Sequence, residues 1–311
     1  PRCYEWGCFQ KYSWGFPISL IDNMVSVIII NYNTFQLTCD CISSVLKHTK
    51  MVSYEIVLVD NASTERNPAL FLEKFPSIKL VKSEKNLGFA GGNNLGIQHA
   101  TGDTILLLNS DTYLTEDSIS LSLAQLQKDS SIGVLGCRQL FPDGAIQYSA
   151  RRFRSISWEL LDLFRFLLYF YTPKARAHRM LGQYFPHDES LYVDWVNGAF
   201  FLFPRPLLNK LPQQQLDERF FMYAEDVLWC EQIKQAGYRV FFLATTSIIH
   251  LSSGSTAISK QLRLRKVMMK HEMKVMELRK GKGSYYYTFG CIYLGKEYLR
   301  LFIKWAYFKI T

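Results

Sequence analysis

A chain of 311 residues, 48% of them hydrophobic, can build one large α/β domain or one domain with an appendage, and is too apolar to be disordered. Its seven cysteines are odd in number and suit neither a disulfide framework nor a zinc site, so reduced thiols in a cytosolic compartment are expected. The net charge of +9 sits at one end: residues 1–259 carry 23 Lys or Arg against 24 Asp or Glu, and residues 260–311 carry 13 against 3, which asks for an anionic partner for the C-terminal part alone.

Residues 1–23 show no sustained periodicity and no cationic segment followed by an apolar run, so they read as an upstream extension outside the fold and not as a signal peptide. From Met24 onward, apolar β-rich runs alternate with helical periods. The run 25–30 predicts a strand covered on both faces, 35–48 a helix, and 55–59 a second strand. Asn67-Pro68 suits an N-cap and first helical position, 78–81 a third strand, and 91–100 a helix closed by Gly102. A fourth strand at 104–108 leads to a helix that Thr115 caps and that reaches about Lys128. Strands alternating with helices of this length imply an α/β fold with a mainly parallel sheet. Beyond it, Asp143-Gly144 reads as a hairpin turn, 156–171 as an apolar stretch, and 195–203 as a strand. A helix at 225–236 stops at Gly237, and short strands follow at 240–243 and 247–250.

Ligands of open parallel sheets bind beyond the carboxyl ends of the strands. There this chain places Asn31-Tyr32-Asn33, Asp60-Asn61-Ala62-Ser63 and Asn109-Ser110-Asp111-Thr112. Any one of these could be a turn or a cap, but their recurrence at three strand ends points to a polar ligand site. Between them lies Asn86-Leu87-Gly88-Phe89-Ala90-Gly91-Gly92-Asn93-Asn94, where glycines permit close backbone approach and a helix N-terminus favours anions. Its spacing is not that of a dinucleotide fingerprint, which argues against a dehydrogenase. Glu225-Asp226 opens a helix, either as first-turn charge or as a functional pair. Arg151, Arg152 and Arg154 form a basic cluster that either meets a diphosphate or is a solvated loop.

Taken in order, Val27-Ile28-Ile29-Ile30-Asn31-Tyr32-Asn33, Val59-Asp60-Asn61-Ala62-Ser63, the 86–94 segment, Leu108-Asn109-Ser110-Asp111 and Tyr223-Ala224-Glu225-Asp226 resemble the family 2 glycosyltransferases, and within them the bacterial rhamnosyltransferase-like branch. The resemblance covers about residues 25–255. It implies a GT-A fold over 24–255, a nucleotide-diphosphate sugar donor, and inversion at the anomeric carbon. By the same resemblance Asp60 accepts the base N–H of uracil or thymine, with Asn31, Asn33 and Asn61 in that pocket. Asn86, Gly88, Gly91, Asn93, Asn109 and Ser110 complete the donor side. Asp111 and His250 would bind a divalent metal, Mg²⁺ or Mn²⁺, on the diphosphate. Asn109 stands where the family often has an aspartate, one carboxylate fewer for that metal. Asp226 is the catalytic base, and Glu225, Trp195, Asn197 and Gly198 face the acceptor with Arg151 and Arg152; a core Trp195 is the other reading.

The C-terminal 256–311 reads as a basic, aromatic-rich helical tail. Lys296, Arg300 and Lys304 recur every fourth residue as one cationic stripe, with Tyr293, Leu294, Leu301, Phe302 and Trp305 as its apolar remainder. No uncharged run reaches the ~20 residues that span a bilayer. The pattern suits an interfacial helix on anionic lipid, with a helix docked on the catalytic domain or a homodimer contact as the other readings. The 156–171 stretch is then a second lipid-facing helix or a core helix. The near-neutral body carries no nucleic-acid motif. The expected activity is transfer of a deoxyhexose such as rhamnose from a dTDP donor, or of a hexose or furanose from a UDP donor. The expected acceptor is a polyprenyl-diphosphate-linked saccharide of surface polysaccharide synthesis, met at the inner face of the cell membrane from the cytoplasm. A non-catalytic nucleotide-sugar binder is disfavoured by Asp111 and Asp226.

Overall fold

The structure, a computed structural model, describes residues 23–252 and 258–310, without side-chain detail at 258–262, 304 and 306–310. The expectation for 1–23 therefore concerns residues outside this description, apart from Asn23, as does the side chain of Lys304 in the tail stripe.

The N-terminal half is β1 (Val25–Asn31), α1 (Phe35–His48), β2 (Tyr54–Asp60), α2 (Leu70–Lys74), β3 (Lys79–Lys82), α3 (Gly88–His99) and β4 (Thr104–Asn109). There follow β5 (Thr112–Leu114), α4 (Ser118–Lys128), β6 (Ile132–Leu140), β7 (Ile146–Gln147), β8 (Ala150–Arg151), α5 (Ile156–Leu163), α6 (Pro173–Met180), β9 (Leu191–Val193), β10 (Trp195–Val196) and β11 (Phe200–Pro204). The chain closes with α7 (Glu225–Gln235), β12 (Arg239–His250), α8 (Ile258–Lys280) and α9 (Ser284–Ile310). The main sheet runs β3-β2-β1-β4-β11-β6-β12-β5. Strands β3, β2, β1 and β4 are parallel, β11 lies antiparallel to both β4 and β6, and β12 is parallel to β6.

Strands of uninterrupted Val, Ile and Leu form here because both faces of the sheet are covered. Side chains alternate between faces, so Ile28, Val57, Val59, Ile105 and Leu107 join one core while Val27, Ile29, Leu58, Leu106 and Leu108 join the other. Full burial of each such side chain stabilises the fold by ~1.5–3 kcal/mol. The sheet's parallel half thereby delivers the ends of β1, β2 and β4 to one edge of the molecule.

Several boundaries differ from the sequence-based expectations, each for a visible reason. Thr115 does not cap α4; Asp117 does, its Oδ1 accepting from Ser120 N at 3.2 Å, because 112–114 are drawn into pairing with β12. The expected strand 195–203 is split at 197–199, where Asn197 Oδ1 accepts from Ala199 N at 2.7 Å and turns the backbone. The two short strands 240–243 and 247–250 are one strand, β12, with a bulge between Leu243 and Ser247. Helix α2 begins at Leu70 because Asn67 and Pro68 form a turn whose carbonyls accept from Leu70 N and Phe71 N. The apolar stretch 156–171 is helix α5 followed by a 3-10 segment, Arg165–Phe170. Cys39, Cys41, Cys137 and Cys230 are buried free thiols, and Cys291 is exposed.

Lys296 and Arg300 of the tail's cationic stripe turn toward α5. Lys296 is buried and paired with Glu159 and with Asp162, the latter at 2.6 Å, and Arg300 reaches the same Asp162 at 2.8 Å. Glu159 also holds Arg154 at 2.6 Å, and Glu297 takes Arg265 and Arg300. The docked-helix reading thus holds for this face of α9. Burial works against Asp162's charge, but the bonds from Lys296 and Arg300 keep its carboxyl below the ordinary aspartate range. Removing one member of such a buried pair strands the other charge at a cost of ~3–5 kcal/mol. The exposed cations lie instead on α8, where Arg263, Lys266, Lys270 and Lys274 repeat at helical spacing.

Candidate active site

Where β1 and β2 end side by side, Asn31 and Asp60 are register partners. Both are buried, and Asn31 Nδ2 donates to Asp60 Oδ1 at 2.8 Å and to Ser63 Oγ at 2.9 Å. The second carboxylate oxygen, Oδ2, accepts from Ser63 N at 3.3 Å. Each oxygen keeps a lone pair for an incoming N–H. Asn31 Oδ1 is itself fixed by Thr38 Oγ1 at 3.0 Å, so a chain of bonds orients the carboxylate. Asn33, in a left-handed conformation, accepts from Thr64 N and Glu65 N and anchors the rim of the same loop.

The glycine-rich segment packs closely against its own surroundings. Helix α3 begins at Gly88, three residues before the expected Gly91. Gly88 has φ +73°, and a Cβ there would lie 2.4 Å from the Phe221 carbonyl oxygen; at Gly91 a Cβ would lie 2.9 Å from that of Leu87. Asn61 Nδ2 donates to Asn86 Oδ1 and to the Gly88 carbonyl, both at 3.1 Å, and its Oδ1 accepts from Leu87 N. Asn93 bonds back to the Phe89 carbonyl. Asn61 and Asn86 therefore fasten the start of α3 to the end of β2, Gly88 lets it approach Phe221, and Asn94 ties it to the 216–221 loop through Leu216 and Glu218.

The fourth-strand end meets the end of β12, across the pairing of Thr112 with His250. Asp111 Oδ1 and His250 Nε2 stand 3.3 Å apart. His250 Nδ1 lies 2.8 Å from Gln147 Oε1; with the proton on Nδ1, the ring turns its Nε2 lone pair toward Asp111. Fixing one ring nitrogen so that the other can ligate is how metal-binding histidines are commonly held. An imidazole and a carboxylate converging in this way fit Mn²⁺ or Mg²⁺. Among the described residues, no group of three His, Cys, Asp or Glu side chains converges, so further ligands would come from the bound diphosphate and water. Asn109 contributes its backbone to the sheet, bonding Ala199 and Thr112, and Ser110 Oγ lies 3.2 Å from Thr34 Oγ1.

Asp226 sits in the first turn of α7. Its Oδ2 accepts from Gly198 N at 3.2 Å and its Oδ1 from Val227 N at 2.8 Å. The preceding Tyr223 and Ala224 both have left-handed φ, +73° and +74°, a strain of ~1–3 kcal/mol each that surrounding contacts must sustain. His271, from α8, supplies one such contact by donating from Nδ1 to the Tyr223 carbonyl at 2.8 Å while packing on Phe220. Burial raises the Asp226 pKa, opposed by the N–H groups of Gly198 and Val227 and by the nearby Arg151. Burial, followed by the Asp226 charge, raises Glu225 as well, and Glu225 Oε2 has no hydrogen-bond partner among the described residues. Asp226 accepts N–H bonds from both Gly198 and Val227, whereas Glu225 Oε2 has none, so Glu225 is the member expected to hold its proton to the higher pH.

Asn197-Gly198 and Trp195 join this carboxylate to the basic cluster. Trp195 pairs with Arg151 between β10 and β8, and the Arg151 guanidinium lies 5.3 Å over its ring. Trp195 is half-buried, with Nε1 donating to the Arg152 carbonyl. Arg152 bonds the His178 carbonyl and approaches Asp194 at 3.8 Å. Gln147 and His271 went unmarked in the sequence: a glutamine in a short strand and a histidine in a basic helix carry no pattern that reveals their partners.

A family model described as glycosyl transferase family 2 matches residues 26–184. The N-acetylglucosaminyl-diphospho-decaprenol L-rhamnosyltransferase of Mycobacterium tuberculosis is 24% identical over 225 residues, covering 65% of this chain and 67% of that protein. The O-antigen biosynthesis protein RfbC of Myxococcus xanthus is 26% identical over 235 residues, 74% of this chain but 17% of that longer protein. Among solved structures, the mannosyltransferase PcManGT of Pyrobaculum calidifontis, in complex with GDP-Man and Mn²⁺, superposes with a TM-score of 0.58 at 17% identity, covering 87% of this chain and 70% of that one.

The order in which the acidic pair titrates follows from their surroundings. As pH rises, Asp226 is expected to lose its proton before Glu225. Glu225→Gln then leaves the Asp226 midpoint in place, whereas Asp226→Asn removes the neighbouring charge and lowers the Glu225 midpoint. Carboxyl-carbon NMR on labelled protein reads both, and ionisation of Glu225 first would overturn the assignment.

Proposed function

The chain belongs to glycosyl transferase family 2, in its rhamnosyltransferase-like branch, and from that premise we propose that it is an inverting transferase in which Asp226 takes the acceptor's proton. The observation that carries this reading is the carboxylate itself: it is half-buried, fixed through both oxygens by backbone N–H groups, and placed at the N-terminus of α7. A base so held is pre-aimed and needs little reorganisation when it accepts a proton. The acceptor hydroxyl oxygen attacks the anomeric carbon from the face opposite the diphosphate. The C–O bond to the diphosphate breaks with its electron pair, and the hydroxyl proton passes to Asp226.

On the donor side, Asp60 accepts a base N–H while Asn31 and Ser63 hold its remaining valences. Asp111 and His250 are the residues that would hold a divalent metal. When bound, such an ion offsets charge on the departing diphosphate. The donor we favour is a dTDP-deoxyhexose, on the strength of the L-rhamnosyltransferase relative. The same relative's name, with its diphospho-decaprenol acceptor, supports a lipid-linked saccharide as the acceptor here. Trp195, Asn197 and Gly198 lie beside Asp226, on the side where that saccharide would be met.

Such an acceptor is presented at a membrane, and we place the protein peripherally on its cytoplasmic face. Among the described residues, no helix is long and apolar enough to cross a bilayer. The support lies in apolar surface on α9 and on the segment that follows its packing partner α5: Phe166, Tyr169 and Phe170 after α5 are 59%, 83% and 85% exposed, and Leu299, Phe302 and Ile303 of α9 are exposed too. Aromatic and aliphatic side chains in that arrangement suit the headgroup boundary, and the exposed Arg263, Lys266 and Lys270 of α8 suit anionic lipid.

Two measurements test these statements. A panel of dTDP-, UDP- and GDP-sugars with Mn²⁺ or Mg²⁺ is expected to show turnover or slow hydrolysis with a dTDP- or UDP-sugar, lost on chelation and recovered only at higher metal concentration in His250→Ala. Failure of every donor to bind would sink the proposal. Replacing Phe166, Tyr169 and Phe170 together by serine should cut co-sedimentation with anionic vesicles several-fold, and unchanged binding would exclude this surface as the anchor.

A further inference from the structure

Arg151, close enough to Asp226 to favour its charged form, lines a cavity of about 320 Å³ that no step above uses. Its lining brings together Arg151, Arg152, Arg154, Arg165 and Arg300, against two carboxylates, Asp162 and Glu272. Trp158 and Trp195 supply aromatic wall. The lining comes from four stretches distant in sequence: the β8–α5 segment, residues 180–184 after α6, the β10 edge, and the C-terminal helices through Glu272 and Arg300.

The arginines are not equally committed. Arg154 is engaged by Glu159 and Glu272 and stacks on Trp158, so it is part of the frame. Arg165, Arg300 and Lys296 all share Asp162, three cations on one carboxylate, with Arg300 also reaching Glu297 and Lys296 also reaching Glu159. Arg151 has no carboxylate within ion-pair distance among the described residues; its Nε donates to the Tyr148 carbonyl at 2.8 Å. Burial and the neighbouring Arg154 lower its pKa, as expected of a cation with a cation beside it. A pocket of this kind, with positive charge in excess and guanidinium groups that can bond two oxygens at once, suits a phosphate or diphosphate.

Its position narrows the choice. Arg151 sits on Trp195, two residues before the Asn197-Gly198 turn that bonds Asp226, so the cavity adjoins the base. On the other side, Asp162 and Arg165 flank the exposed Leu163 and Phe164, and Arg300 is next to the exposed Leu299. A ligand with an anionic head and a hydrocarbon tail matches both neighbours.

We propose that this cavity holds the diphosphate of the lipid-linked acceptor, between Arg151, Arg165 and Arg300, with the lipid leaving over the apolar surface of α5 and α9. The C-terminal helices are thereby a wall of the acceptor site as well as a membrane contact. The assignment rests on the acceptor class proposed above, and its test is separable from it. Pyrophosphate and farnesyl diphosphate are titrated into the full chain without divalent metal, followed by calorimetry, with UDP and dTDP as competitors. Both probes should bind, farnesyl diphosphate at least tenfold tighter, and neither should be displaced by the nucleotides. Charge-assisted bonds of ~1.5–3 kcal/mol imply at least roughly tenfold weaker binding in Arg151→Gln and in Arg165→Gln, with thermal unfolding confirming that both variants fold. Displacement by nucleotide, or unchanged affinity in both variants, overturns the proposal. Equal affinity for the two probes overturns the lipid part, leaving a simple anion site. If UDP or dTDP binds and neither probe does, the cavity assignment fails while the donor reading stands.

Discussion

A carboxylate that is to accept a proton has to stay charged where water has largely left, and that requirement organises this molecule. Asp226 meets it with backbone N–H groups from two places, its own helix at Val227 and the 197–199 turn at Gly198. The second requires the expected strand 195–203 to break where it does. The first requires α7 to begin abruptly, after two residues in the left-handed region. Neither Tyr223 nor Ala224 is glycine, so the conformation must be held from outside, by His271 of α8 and by the Phe221 carbonyl's bond to Phe89. The glycines of α3 belong to the same arrangement, since a side chain at Gly88 would strike Phe221.

The C-terminal helices follow from a second constraint. Glu159 and Asp162 on α5 are almost wholly buried, and buried carboxylates are tolerable only with partners. Those partners are Arg154, Lys296 and Arg300. Two of the tail's cations, Lys296 and Arg300, are thus used inside the protein, holding α9 against α5. Truncating the tail would expose this network, so point changes on the outer face report on membrane contact and deletions do not.

What could be read in the sequence divides along physical lines. Runs such as Val25–Asn31 announce a doubly covered strand, and the polar residues closing β1, β2 and β4 announce a site, because both signals are local. The pairing of Asp111 with His250 depends on β12 crossing back beside β5, and only the family resemblance suggested it. The glycine-rich segment pointed to close approach but not to what approaches; the neighbours are the protein's own Phe221, Leu87 and Ile30. Lys296 and Arg300 lie on one helical face by spacing, but spacing is silent on whether that face meets lipid or Asp162. Gln147 and His271 act through single hydrogen bonds, which leave no periodicity behind.

The central claim is that Asp226 removes the acceptor's proton. Its most direct test is turnover of Asp226→Asn beside its affinity for the donor, since asparagine keeps the shape but cannot take a proton. The account predicts donor affinity close to the unaltered protein's and turnover lower by the ~10²–10⁴-fold typical of a lost general base. Near-normal turnover with intact donor binding would contradict it and place the base elsewhere.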